Sequence, residues 1–128
     1  MKRLFLGLLA LVLLVVIGAG GWLYFFGGDA MARAEFWAAD IEAFEAADAE
    51  RFPAPGPIVF TGSSSIRLWS SLEEDMAPLY VLNRGFGGAH MAHVLHFADR
   101  IITPYTPRAL VLYVGDNDIG AGKTPEVV

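Results

Sequence analysis

The hydrophobic positions of this chain form one long uninterrupted block followed by several short ones. Residues 4–26, twenty-three in all, carry no charge and follow directly on Lys2 and Arg3. Coiled as a helix at ~1.5 Å per residue they reach roughly 34 Å, enough to cross a hydrocarbon core of about 30 Å. The block therefore predicts a membrane-spanning signal anchor within residues 1–28. A cleaved signal peptide is the competing reading, with Lys2 and Arg3 as its basic region and Gly18, Ala19, Gly20 and Gly21 as a processing site. The apolar run continues beyond those small residues through Trp22, Tyr24, Phe25 and Phe26, aromatics suited to a membrane interface. Positive charge at the amino end keeps that end cytoplasmic, so the remainder is expected on the outer or periplasmic side, or secreted if the segment is cleaved.

Past Gly27 and Gly28 the pattern changes period. Residues 29–51 are rich in alanine and acids, and Trp37, Ile41 and Phe44 share an arc of about 60° at 100° per residue. This predicts an acidic amphipathic helix packed on the domain, with a partner-binding helix as the alternative. Pro53, Pro55, Gly56 and Pro57 make a stiff linker that closes a connecting unit over residues 29–57. Three short apolar runs follow, at residues 58–60, 79–82 and 109–114, each with the β propensity and breakers of a strand. Between the second and third, residues 89–102 read as a helix. Counted from His90, its residues Ile101, Val94, Ala98, Met91, Ile102 and Leu95 fall at roughly 20° to 140°, the expected buried face. His93, His96 and Arg100 fall on the opposite side, expected in solvent. Strand and helix alternate over residues 58–128, which predicts an α/β domain with a parallel sheet. The unbroken run 109–114 reads as a central strand buried on both faces.

Charge and composition narrow the partners. The formal net charge is −5, and apart from Lys2 and Arg3 seven basic residues face fourteen acidic ones. Such a surface disfavours nucleic acid and anionic lipid as main partners. The chain has no cysteine, which excludes disulfides, thiolate zinc sites and cysteine nucleophiles. His90, His93 and His96 recur every three residues with no acid between them, so a solvated face accounts for the spacing better than a metal site. Neither a cofactor nor a metal is expected.

Each strand ends in a polar or glycine-rich loop. After residues 58–60 come Thr61, Gly62 and the three hydroxyls Ser63, Ser64 and Ser65; after the second run come Asn83, Arg84, Gly85, Phe86, Gly87 and Gly88; after the third come Gly115, Asp116, Asn117 and Asp118. Parallel strands point one way, so the three loops gather at one edge of the sheet, where ligands bind in open α/β folds. A serine at such a turn is either a helix cap or a nucleophile. A nucleophilic serine needs donors for the oxyanion it creates, and amides at a helix start, a glycine amide at Gly88 and the side chain of Asn117 can supply them.

The segments Gly62-Ser63-Ser64-Ser65-Ile66, Asn83-Arg84-Gly85-Phe86-Gly87-Gly88 and Gly115-Asp116-Asn117-Asp118 resemble, in order and spacing, the first three blocks of the SGNH hydrolases, the GDSL-type esterases and lipases. The resemblance runs from about residue 58 to residue 122. It implies a flavodoxin-like three-layer α/β/α sandwich, of which residues 58–128 are the first part. It also implies Ser64 as nucleophile, with an oxyanion hole formed by the amide of Ser64, Gly88 and Asn117, and a small-molecule, lipid or glycan ester as substrate. Ser63 stands where the family usually has aspartate. The family's last block, Asp-x-x-His, supplies the general base, and no histidine of this sequence has an acid three residues before it. Three explanations are open: an incomplete copy of a longer membrane-anchored hydrolase, a truncated pseudo-enzyme that binds without cutting, or His90 acting as base. The alternative outside enzymology is a non-catalytic, membrane-anchored binding module.

Overall fold

The computed structural model describes residues 15–16 and 33–128. Within the apolar block Val15 and Val16 are helical; the rest of the expected membrane span lies outside the described residues. Among the described residues no helix is long and apolar enough to cross a membrane. The chain divides into two compact units, Met1–Phe36 and Trp37–Val128. The second unit is a mixed α/β domain. Its elements in order are α1 (Ala38–Glu50), β1 (Ile58–Gly62), α2 (Ser64–Arg67), α3 (Leu72–Asp75), β2 (Val81–Gly85), α4 (Met91–Ile101), β3 (Ala109–Tyr113) and α5 (Asp116–Gly120).

The three strands form one parallel sheet in the order β2-β1-β3, with Ile58 beside both Val81 and Ala109 and Gly62 beside both Gly85 and Tyr113. This register brings all three carboxyl ends level, so the loops that follow them start side by side. Side chains alternate across a strand. Phe60 packs into a cluster with Ile66, Leu72 and Val81, while Val59, directed to the other face, is also buried. Both faces of β1 are therefore covered, and β1 takes the central position expected of residues 109–114.

β3 differs from the expectation. It lies at a sheet edge, all five of its residues are exposed, and Leu110 and Leu112 retain 45% and 42% of their accessible surface. An apolar run signals that a strand can be buried on both faces; it carries no information on whether the described elements reach far enough to cover it. β2 also extends further than the apolar run, because Asn83, Arg84 and Gly85 continue the ladder with Phe60, Thr61 and Gly62.

The buried face of α4 is turned relative to the expected one. His93, Val94, Phe97 and Ile101 are buried, and Leu95 is 75% exposed. The cause is aromatic packing. Phe97 meets Phe86 edge-on at 6.0 Å, and Trp37 lies 4.3 Å from the His93 ring, so the helix rolls toward these rings and brings His93 inside. Arg100 remains outside, where it forms a two-pronged ion pair with Glu45 of α1 at 2.6 Å for each bond.

α1 is held by one buried polar network as well as by Trp37 and Ile41. Arg84, on β2, donates through Nη2 to Asp48 Oδ1 at 2.5 Å and through Nε to the Tyr105 hydroxyl at 2.8 Å. Tyr105 in turn donates to Asp48 Oδ2 at 2.5 Å. The guanidinium sits 5.0 Å from the Phe44 ring centre and 4.8 Å from that of Tyr105. A cation so enclosed is tolerated only with its carboxylate and ring partners in place.

Candidate active site

The turn after β1 is dictated by Gly62. Its φ is +130°, and a Cβ there would meet the Tyr113 carbonyl at 1.9 Å, so only glycine lets β1 leave the ladder this closely. Ser63 follows as the cap position of α2. Its side chain makes no capping bond; its carbonyl instead accepts the N–H groups of Ile66 and Arg67, at 3.1 and 3.2 Å. The helix thus begins at Ser64.

Of the three hydroxyls the fold treats each differently. Ser63 is fully buried, Ser64 is half-buried and Ser65 is exposed. Among the described residues Ser64 Oγ has no hydrogen-bond partner, and the Ser64 N–H, first in α2, has no protein acceptor. Gly88 follows the tight turn after β2 with φ +73°, and its N–H likewise donates to no acceptor among the described residues.

Asn117 ties the loops together. Its Nδ2 donates to Ser63 Oγ at 2.6 Å and to the Ala89 carbonyl at 2.9 Å, joining the ends of β1, β2 and β3 through one amide. Both amide hydrogens are thereby engaged. Ser63, which stands in place of the aspartate of the resembled block, serves here as the buried acceptor that orients Asn117. Sequence reading assigned Ser63 no such part.

His90 caps the start of α4, and its Nδ1 lies 3.3 Å from Asp118 Oδ1. Among the described residues no hydrogen bond joins His90 to Ser64. Asp118 is buried and multiply engaged: Oδ2 accepts the Met91 N–H at 2.9 Å and Oδ1 accepts Lys123 Nζ at 2.6 Å. Burial pushes its carboxyl up, but Lys123, the Met91 N–H and His90 outweigh burial and hold it below the usual carboxylate range. Asp118 therefore fastens the third loop to the start of α4. Its position directly after Asn117 was the only sequence signal for this role. His93 Nδ1 accepts the His90 N–H at 3.0 Å, which takes His93 out of the solvated face assigned to it. Among the described residues no three His, Asp or Glu side chains gather as a metal site.

Asn117, bonded to Ser63 beside Ser64 and to Ala89 beside Gly88, thus gathers the three loops at one edge of the sheet. No family model matches the chain, and neither a curated protein nor a solved structure matches it.

Proposed function

We propose that residues 58–128 carry the nucleophile and oxyanion-hole half of an SGNH-type serine esterase, on a sheet that follows the flavodoxin-like order with further strands pairing beyond β3. The observation that carries this reading is that, among the described residues, the Ser64 N–H, the Gly88 N–H and the Ser64 hydroxyl have no partner, in loops that Asn117 joins at the carboxyl end of a parallel sheet. Ser64 Oγ attacks the ester carbonyl carbon, the carbonyl pair moves to oxygen, and the two amides receive the resulting charge. On collapse the leaving oxygen takes up the proton that the Ser64 hydroxyl gave to a base and departs as the alcohol, leaving an acyl-serine that water then hydrolyses. Asn117 joins as a third donor when the substrate oxygen competes with Ser63 Oγ for one of its hydrogens. Each donor of this kind contributes about 3–4 kcal/mol in enzymes where one has been removed.

The proton of Ser64 needs an acceptor, and a serine without one is a poor nucleophile at neutral pH. The test therefore supplies the base. The full chain is treated with an alkyl fluorophosphonate, with and without imidazole, and the modified residue is mapped by peptide mass spectrometry. Phosphonylation selective for Ser64 over Ser63, Ser65, Ser70 and Ser71, accelerated by imidazole and absent in Ser64→Ala, is expected. Labelling spread evenly over the serines, or absent from Ser64, refutes the reading.

A further inference from the structure

Trp37 lies outside the three strand-end loops in sequence, fifty residues before the glycine loop, yet its indole Nε1–H donates to the Gly87 carbonyl at 2.6 Å. The indole is fully buried. It is held from two other directions, with the His93 ring at 4.3 Å and the Phe86 ring edge-on at 5.9 Å. His93 is fixed in turn by the bond its Nδ1 accepts from the His90 N–H. The donor that reaches Gly87 is therefore part of a packed aromatic group and has little freedom to turn away.

The Gly87 carbonyl and the Gly88 N–H belong to one peptide unit. The only cis bond among the described residues is Ala77-Pro78, so this unit is trans. In a planar trans peptide the C=O and N–H point in opposite directions. Holding the Gly87 oxygen on Trp37 thus points the Gly88 N–H away from the core. A peptide flanked by two glycines has no Cβ to resist rotation, and Gly88 already occupies φ +73°. Without an anchor on the carbonyl, nothing in this peptide itself would fix the direction of the N–H.

We propose that Trp37 is the positioning residue of the candidate oxyanion hole, its indole N–H setting the direction of the Gly88 amide through the carbonyl on the other side of the same peptide. The inference rests on the serine-hydrolase reading for what the amide does, but the anchoring itself is testable apart from it. It also gives the acidic segment before β1 a part in the site: it delivers one side chain to the glycine loop.

Two variants of the full chain separate donor from bulk. Trp37→Phe keeps an aromatic ring against His93 and Phe86, and replacement of Trp37 by 3-benzothienylalanine keeps the whole bicyclic shape while putting sulfur in place of the N–H. If Trp37→Phe fails to fold, the benzothienyl variant carries the test. The first measurement is the NMR spectrum of the Gly87 carbonyl carbon and the Gly88 amide. Both resonances are expected to shift in the variants; unchanged resonances overturn the proposal. The second is the imidazole-assisted rate of Ser64 phosphonylation, expected to fall roughly tenfold on loss of one neutral hydrogen bond, with a fall in thermal midpoint of about 4–8 °C for the benzothienyl variant, which stays folded at the assay temperature. Labelling at the wild-type rate overturns the proposal. Failure of the wild-type chain to label at Ser64 removes the hydrolase reading, and with it the role assigned to the amide, while the NMR shifts report separately whether Trp37 holds the peptide.

Discussion

Removing the Asp48 carboxylate is the sharpest probe of how α1 is attached. In the folded chain the Arg84 and Asp48 side chains retain only 8% and 11% of their exposure, and the carboxylate serves two donors at once, Arg84 Nη2 and the Tyr105 hydroxyl. Asp48→Ala leaves the guanidinium enclosed by Phe44 and Tyr105 with its bonds to the Tyr105 hydroxyl and the Asn83 carbonyl, both neutral. Breaking a buried pair by deleting one partner costs about 3–5 kcal/mol, and the slight residual exposure here favours the lower figure. A domain of this size has a net stability on the order of 5–10 kcal/mol, so about 3 kcal/mol removes a large part of it. The corresponding fall in thermal midpoint is on the order of 10–20 °C. Thermal unfolding followed by near-ultraviolet circular dichroism measures it. Combining Asp48→Leu with Arg84→Met removes both charges together and is expected to recover most of the loss, because no unpaired ion remains. A midpoint for Asp48→Ala within 1–2 °C of wild type would refute the reasoning and mean that Trp37, Ile41 and the Glu45–Arg100 pair hold α1 without help from Asp48.

Two further outcomes follow from the geometry of the loops. Gly62→Ala forces a Cβ into the Tyr113 carbonyl at a φ of +130°, so it is expected to destabilise the domain by at least about 2–3 kcal/mol and to expose β1 to hydrogen exchange; unchanged protection over residues 58–62 would contradict the tight turn. Asp118 has its carboxyl lowered in the fold, so the unfolded chain binds its proton more readily and the stabilisation is complete above the unfolded value near 4. Stability is therefore expected to fall as pH drops below about 4 through the folded-state value, and Asp118→Asn should flatten that slope in acid titrations monitored by circular dichroism; an equally steep slope in the variant would count against the role of Lys123, His90 and the Met91 N–H in holding the carboxylate.

Much of the sheet was legible because its signals are local. Residues 58–60 and 109–114 are apolar, β-prone and bounded by breakers, and strands formed at Ile58–Gly62 and Ala109–Tyr113. The arc of Trp37, Ile41 and Phe44 likewise anticipated which side of α1 turns inward: Trp37 and Ile41 are buried and Phe44 half-buried. The buried side of α4 was misread because a wheel of aliphatic positions left out Phe97 and set His93 in solvent. Burial there depends on rings brought from Phe86 and Trp37, distant in sequence. The exposed state of β3 was illegible for the same reason, since cover is supplied by other elements.

By itself the sequence determined which residues carry candidate chemistry and in what order: a glycine that breaks the first strand before three hydroxyls, a glycine loop after the second, and an asparagine after the third. It could do so because strand runs and turn glycines are properties of a few neighbouring residues. Only the tertiary structure decided how those residues divide the work. The level register of three parallel strands puts Ser63, Ala89 and Asn117 within hydrogen-bond reach, buries Ser63 as an acceptor, and leaves the Ser64 hydroxyl and amide with no partner among the described residues. The fold also carries Trp37 across to the Gly87 carbonyl. Such relations depend on direction and distance between side chains remote along the chain, and a linear pattern of apolar and polar positions does not encode them.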